Sequence, residues 1–389
     1  MKSTVISYLV AATFSFSLCS AISHPSSHAT ACELTKRLYR SGENLFFSPL
    51  SISSAMAIAQ AGSAGRTREQ LQAALCLPDN NHAIGSWYSG VLRRLASSSC
   101  ECTVANHLWI DAQWYIEPQY LSDAWSLFGA CAESLDFNDP LSVDQINAWV
   151  ARNTRNKIPS ILQRGSISSD TPLVITNAIY FNGSWSTAFD QSRTKKDFFY
   201  ADDSTVYTVD MMSATNRTVR YANTSQAAIV ELPFSDKDMI MRIVLPHGPL
   251  EPLLNSLTPD HINEWAACVR PIPIDLYLPK ISLKTNYSLN SVLKQLGITD
   301  AFDPLHADFS GITQDRKLWI DSVIHKASLD VSEEGAEAAA ATAVVMRCTV
   351  SSGVSEWHRP IFYANRPFIL SITDTQTNTV LFMGVIERF

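Results

Sequence analysis

One stretch decides the fold of this chain: Glu333-Glu334-Gly335-Ala336-Glu337-Ala338-Ala339-Ala340-Ala341-Thr342. Read as a helix it is ordinary, because alanine and glutamate are good helix formers. Read as a strand, its side chains alternate between two faces. One face is then wholly small or apolar, with Ala336, Ala338, Ala340, Thr342, Val344, Met346 and Cys348. Alanine is a poor strand former, so the pattern predicts a segment that is mobile in one state and a central strand in another.

Four further motifs accompany this stretch along the chain. They are Asn44–Ala55 (NLFFSPLSISSA), Asn177–Trp185 (NAIYFNGSW), Phe362–Phe368 (FYANRPF) and Leu381–Val385 (LFMGV). Together with the alanine-rich stretch they resemble the serpins, a family of serine protease inhibitors, in family order from about residue 28 to Phe389. The resemblance implies a serpin fold, with helices packed on large mixed β-sheets and an exposed, mobile reactive-centre loop that inserts into a sheet after cleavage.

The order of the local patterns favours the same class. Helical spacing dominates the first half of the chain, and strand patterns dominate from Val174 onward. Helices followed by sheets built from distant segments indicate an α+β fold. The span Val143–Lys157 reads as an amphipathic helix, and it resembles the serpin helix that lies across the main sheet.

The resemblance assigns the alanine-rich stretch to the hinge of the reactive loop, which would occupy about residues 333–360. Gly335 permits unusual backbone angles at the turning point, and Ala336 would be the first side chain buried on insertion. A charged residue at that position would resist burial, so alanine fits inhibition. The hinge residues are Glu333, Gly335, Ala336, Glu337, Ala338, Ala339, Ala340, Ala341 and Thr342.

The resemblance also implies two sites that control opening of the sheet. A polar cluster under its middle, the shutter, would comprise Ser48, Ser51, Asn177 and His325. At the top of the sheet, the breach, Trp185 would cover the point where insertion begins and Lys280 would pair with Glu333. For an exposed pair of this kind we expect a contribution of roughly 0–1 kcal/mol.

The family spacing also implies the cleaved bond. The residue before it is usually the seventeenth, counted from Glu333, which gives Thr349–Val350 and an elastase-like protease. Arg347–Cys348 is the alternative, since a trypsin-like protease selects a cation through an acid at the base of its pocket. Cleavage there would leave two fewer residues to insert.

The first residues are typical of an export signal: Lys2 precedes an apolar run, and small residues allow cleavage after Ala21. We therefore expect a signal peptide at 1–21, one serpin domain at 22–389 and a secreted, extracellular protein. Removal of Cys19 leaves seven cysteines, so at least one is unpaired or pairs between chains. Possible glycosylation sites are Asn182, Asn216, Asn223 and Asn286, of which Asn216 and Asn223 are the better candidates.

Composition and motifs restrict the function classes. The net charge of -7 argues against general nucleic-acid binding, and no later apolar stretch is long enough to span a membrane. Hydrolase motifs are missing, as are metal-binding cysteine spacings. We expect a monomer without catalytic residues, metal or cofactor. The leading hypothesis is a suicide inhibitor of a serine protease, and the alternative is a non-inhibitory serpin that acts as a carrier, chaperone or protease substrate.

Overall fold

The computed structural model describes residues 26–202, 204–336 and 359–389. The signal-peptide prediction, the reactive bond and the hinge residues from Glu337 to Thr342 lie outside these ranges. The α-helices in the described part are α1 Ser27–Leu38, α2 Pro49–Ala61, α3 Gly65–Leu75, α4 Asn81–Ala96, α5 Pro118–Phe128, α6 Ser142–Asn153, α7 Leu250–Asn255, α8 Pro259–Cys268 and α9 Asn290–Gln295.

The strands form two sheets. They are β1 Leu45–Phe47, β2 Glu101–Asp111, β3 Cys131–Leu135, β4 Leu173–Ser184, β5 Lys195–Tyr200, β6 Val206–Asn223, β7 Ala227–Pro233, β8 Met239–Pro246, β9 Arg270–Pro279, β10 Ile281–Ser288, β11 Ser322–Val331, β12 Gly335–Ala336, β13 Ile361–Tyr363, β14 Phe368–Asp374 and β15 Thr379–Ile386. Sheet I has the order β10-β11-β12-β4-β2-β3, and β11 also pairs directly with β4. Sheet II has the order β1-β15-β14-β8-β7-β6-β9-β13, with β5 paired to β6. The predicted α+β class is confirmed.

Strand β4 lies in the middle of sheet I and is buried on both faces. Its side chains alternate between two apolar cores, as the period of a strand requires. Ile175 and Ile179 enter the main core, which sheet II and helix α2 help to form, whereas Val174 and Ala178 enter a smaller core under helix α6. The near-continuous apolar sequence of β4 follows from this double coverage.

We call the line along which β4 and β11 meet in sheet I the seam. Residues Ser322–Ser328 of β11 pair in parallel with Val174–Tyr180 of β4. Above this pairing, the short strand β12 lies between the same two strands and is antiparallel to both. Strands β4 and β11 therefore pair directly over most of the seam. At the end near Gly183, which we call its upper end, β12 lies between them.

Helix α6 lies across sheet I, as the resemblance implies, but it is shorter than the predicted Val143–Lys157. It ends at Asn153. Arg155 and Asn156 have φ values of 47° and 61°, so the chain leaves the right-handed helix there without the glycine or proline that usually signals an end. Ile146 and Val150 are buried against the sheet.

Two further observations concern the described ranges as a whole. None of their helices is both long and apolar enough to cross a membrane. The thiols of Cys32, Cys100, Cys102 and Cys268 take part in no disulfide.

Candidate functional site

The hinge begins where β11 ends. The main chain turns at Ser332, Glu333 and Glu334 and re-enters the sheet at Gly335 and Ala336. Ala336 pairs with Val331 of β11 and with Gly183 of β4, and its side chain is fully buried. The period-two argument placed Ala336 on the buried face, and the structure places it there.

Gly335 occupies a position that no other residue could fill without rearrangement. Its φ of +147° is a conformation that L side chains rarely adopt, and a Cβ added here would stand 2.2 Å from the carbonyl oxygen of Gly183. The obstacle is backbone, so side-chain rotation cannot relieve it. This close approach of two main chains lets the hinge start inside the seam.

Glu333 is clamped from three directions. Its carboxylate lies 2.8 Å from the Nζ of Lys280 and accepts a hydrogen bond of 2.6 Å from the Oγ1 of Thr194. Its carbonyl oxygen accepts a hydrogen bond of 2.8 Å from the backbone N–H of Phe189. The pair differs from the exposed ion pair expected from the sequence, because the Glu333 side chain is only 4% exposed and that of Lys280 is 42% exposed.

Burial also acts on the ionisation of Glu333. Desolvation alone would raise the pKa of this carboxyl group, but the hydrogen bonds from Lys280 and Thr194 outweigh it and lower the pKa below its ordinary value. The group is therefore ionised at neutral pH. Thr194 was not predicted, since nothing in its sequence context marks it as a partner of a residue 139 positions away.

Trp185 lies beside β12 at the end of the seam where the hinge enters. Its indole Nε1–H donates to the carbonyl oxygen of Ser332 at 3.0 Å, and its backbone N–H donates to the carbonyl oxygen of Glu334 at 2.8 Å. The ring stacks on Phe234, with centroids 4.7 Å apart. Trp185 thus holds the hinge by hydrogen bonds to two main-chain carbonyl groups, and its own ring packs on the apolar core.

The structure brings the four predicted shutter residues together across the seam. Asn177 of β4 and His325 of β11 are register partners, and the Oδ1 of Asn177 is bonded to the Nδ1 of His325. The Nδ2 of Asn177 donates to the Oγ of Ser51 at 2.5 Å and to its carbonyl oxygen at 2.8 Å. The backbone N–H of Ser48 donates to the Nε2 of His325 at 3.1 Å. The four residues form one buried hydrogen-bonded network.

The protonation state of His325 follows from these contacts. Its Nε2 accepts a hydrogen bond from the Ser48 amide, so the ring hydrogen lies on Nδ1 and points to Asn177. Burial lowers the pKa of His325 to about 3, which keeps the ring neutral at physiological pH. A neutral network can exchange hydrogen-bond partners without separating charges.

Two members of the network were not predicted. Asn106 of β2 is the register partner of Asn177 and is hydrogen-bonded to its Nδ2. The Nδ2 of Asn106 in turn donates to the Oγ of Ser54 at 2.5 Å. Ser54 lies one turn after Ser51 in α2, so helical spacing from the predicted residue could have identified it.

Helix α6 is held to sheet I by an aromatic cluster outside the predicted site. The ring of His107 in β2 stacks on that of Trp109, with centroids 3.7 Å apart. The ring of Trp149 in α6 packs edge-on against the His107 ring, with centroids 4.7 Å apart. His107 is buried, and neither ring nitrogen has a hydrogen-bond partner among the described residues. Burial lowers the pKa of His107 to about 3.

The remaining predicted sites are surface positions or lie outside the described residues. Asn216, Asn223 and Asn286 are exposed, whereas Asn182 is half-buried in β4. Their use as glycosylation sites stays a prediction. Within the described ranges, no group of three or more His, Cys, Asp or Glu side chains is arranged to hold a metal ion.

Comparison with known proteins agrees with this geometry. The family model described as Serpin (serine protease inhibitor) matches residues 25–388. An uncharacterized serpin-like protein of Methanosarcina acetivorans is 36% identical over 362 residues, which cover 91% of this chain and 84% of the relative. The leukocyte elastase inhibitor of Xenopus tropicalis is 33% identical over 353 residues, which cover 88% of this chain and 92% of the relative.

Among solved structures, human thyroxine-binding globulin complexed with thyroxine superimposes with a TM-score of 0.83 at 25% identity, covering 93% of this chain and 98% of that one. The similar proteins thus include one named as an elastase inhibitor and one named for thyroxine binding. The family model spans almost the whole chain, and two relatives exceed 30% identity over most of it. This chain belongs to the serpin family.

Proposed function

We propose that this protein is a secreted suicide inhibitor of serine proteases. The observation that carries the proposal is the buried position of Ala336 between β4 and β11. The hinge already occupies the upper end of the seam with a side chain small enough to fit. The next sequence positions on the same face are Ala338, Ala340 and Thr342, which are also small.

The chemistry belongs to the protease, and this chain supplies the substrate bond. The serine Oγ of the protease attacks the carbonyl carbon of Thr349 and the Thr349–Val350 peptide bond breaks. The new amine of Val350 leaves with the proton that the serine gave up, and an ester joins the protease to Thr349. Cleavage at Arg347–Cys348 would follow the same steps.

Insertion then competes with hydrolysis of that ester. Once the loop is cut, the hinge can extend downward from Ala336 and replace the β11–β4 pairing with two new antiparallel pairings. The shutter residues must exchange partners as β4 and β11 separate, and α6 must move with the sheet. The bound protease is carried along and distorted before water can release it. The intact state is then held kinetically.

The protease class follows from the residue before the bond. Thr349 suits an elastase-like enzyme with a small or medium apolar pocket, and Arg347 suits a trypsin-like one. The similarity to a leukocyte elastase inhibitor supports the first choice.

The test mixes purified protein separately with elastase and with trypsin and examines each mixture on a denaturing gel. We expect a covalent complex with at least one protease, and none when the protease serine is blocked beforehand. The protein cleaved in its loop should also melt at a higher temperature than the intact protein, because the inserted strand completes the sheet. Cleavage without a complex and without a gain in melting temperature would contradict the proposal.

The similarity to thyroxine-binding globulin favours a second candidate, a non-inhibitory serpin that carries a ligand or serves as a protease substrate. That candidate predicts loop cleavage with no gel-stable complex. The alanine-rich hinge argues for the inhibitor, because a carrier does not need a small face along the whole stretch.

A further inference from the structure

A cavity of about 610 Å³ lies beside the hinge, between β10 of sheet I and strand β6 of sheet II, and is closed at one end by the last residues of the described chain. Its volume is in the range of small-molecule sites, about 300–1,000 Å³. Of the residues that take part in the hinge contacts described above, Lys280, Val331 and Ser332 line it. The steps of loop insertion leave the cavity without a role.

The floor of the cavity is apolar. Side chains from four strands meet there and are buried: Val209, Ile281, Leu283, Val331 and Ile386. Phe389 stands at the edge with its ring 4.8 Å from that of Phe199. The mouth is formed by exposed residues that include Thr208, Ser282 and Arg388. A ligand would therefore need an apolar body and a polar group near the mouth.

Three of the four charged side chains on the wall already have partners. Lys280 is paired with Glu333 at 2.8 Å, and Asp210 is paired with Lys196 at 2.9 Å. Asp330 accepts a hydrogen bond of 2.6 Å from the Oγ of Ser282.

The fourth charge is the guanidinium of Arg388, which has neither an ion pair nor a hydrogen bond within the described residues. Its backbone, by contrast, is fixed on both sides by Asn44. The backbone N–H of Arg388 donates to the Oδ1 of Asn44 at 3.0 Å, and the carbonyl oxygen of Arg388 accepts a hydrogen bond from the Nδ2 of Asn44 at 2.8 Å. A guanidinium without an ion pair, carried by an anchored backbone at the mouth of an apolar cavity, can hold an anionic group by two parallel hydrogen bonds.

We propose that this cavity binds an amphipathic organic anion. An unbranched apolar chain would lie on Ile281, Leu283 and Val331, and its carboxylate or sulfonate would be held at the mouth by Arg388. The inference rests on the cavity and its charges alone, so it stands or falls independently of protease inhibition.

The experiment titrates the full-length protein with decanoate below its micellar concentration and follows binding by calorimetry. We expect one equivalent to bind. Arg388→Gln should weaken binding about tenfold or more, the usual effect of losing a hydrogen bond between charged groups. The matched control is Arg164→Gln, which removes the same charge from a side chain that is 82% exposed on the segment after α6. The control should bind as the wild type does.

Two further measurements keep the test decisive. Thr208→Trp places a bulky ring at the mouth from an exposed strand position, so it should block binding without disturbing the core. Decyltrimethylammonium has the same chain with the opposite charge and should not bind. The proposal is overturned if decanoate does not bind, if both Arg388→Gln and Thr208→Trp bind it unchanged, or if the cationic probe binds more tightly.

Discussion

The Nζ of Lys280 lies 2.8 Å from a carboxylate oxygen of Glu333, and this pair joins the residue between strands β9 and β10 to the first residue of the hinge. The two partners differ in exposure, because the carboxylate is nearly buried while the ammonium group reaches solvent. Loss of the lysine would therefore leave a buried carboxylate with Thr194 as its one remaining side-chain donor in the described structure. The energetic effect should exceed that of an ordinary surface pair.

Lys280→Met should lower the free energy of unfolding by about 1–3 kcal/mol, the usual penalty for an unsatisfied buried group. Urea denaturation at pH 7 measures it. Lys284→Met in the following strand β10 is the matched control, since Lys284 is exposed, and it should change stability by less than about 0.5 kcal/mol. Because the folded pKa of Glu333 is depressed, its contribution is present above the ordinary glutamate pKa and fades as the pH falls below it. Equal stability of the two variants would contradict the clamp.

Ala336→Arg should convert the inhibitor into a substrate. The side chain of Ala336 is fully buried in the seam, and a buried unpaired charge costs several kcal/mol. Insertion should stall while cleavage continues, so the denaturing gel shows cut protein and little complex. Ala336→Ser, which is small and neutral, should keep most of the complex. An unchanged yield of complex with the arginine variant would rule this mechanism out.

The peptide released from the covalent complex should begin at Val350. Hinge length counted from Glu333 supports this bond, and mass spectrometry of the released fragment decides it. Arg347→Ala should then spare complex formation with an elastase-like protease and abolish cleavage by a trypsin-like one. A fragment that begins at Cys348 would show that Arg347 is the determinant and that a shorter insertion suffices.

His107→Phe should make the protein more resistant to acid. The folded pKa of His107 is lowered from 6.5 to about 3 by burial, so below about pH 6.5 the unfolded chain binds a proton that the native state excludes. Stability contributed by the neutral ring is full above pH 6.5 and is lost as the pH falls from there toward 3, by up to about 1.4 kcal/mol per pH unit.

Phenylalanine can keep the stack on Trp109 and has no ring nitrogen to bury or protonate. Thermal melts between pH 7.5 and 4 should therefore show a shallower decline for the variant than for the wild type. Identical slopes would mean that His107 is protonated in the folded protein, for instance through Glu133, whose carboxylate lies 3.6 Å from its Nε2.

The sequence predicted the parts of the site that follow from local periodicity or from motifs. Strand alternation placed Ala336 on the buried face, and the motif around Asn177 placed its partners at the seam. It did not predict Thr194, Phe189 or Asn106, because each joins the site through a contact with a residue far away in the chain. Tertiary packing selects such partners, and the local sequence carries no signal for them.

The C-terminal end of α6 is another feature that the sequence did not predict. Arg155 and Asn156 take up left-handed backbone angles, yet neither is the glycine expected at such a turn. Arg155 also forms an ion pair of 2.5 Å with Glu101 of β2, a tertiary contact that the helical pattern does not indicate. The amphipathic pattern extended the prediction to Lys157.

The seam has a further consequence for the time course of folding. Asn177 and His325, which meet across it, are 148 positions apart in the sequence, whereas Asn177 and Asn106 on the other side of β4 are 71 apart. Closing the longer chain segment has the larger entropic cost, and parallel pairing over such a separation is slow. The β2–β4 half of sheet I should therefore form before β11 docks. The seam, along which the proposed insertion would open the sheet, should close last during folding.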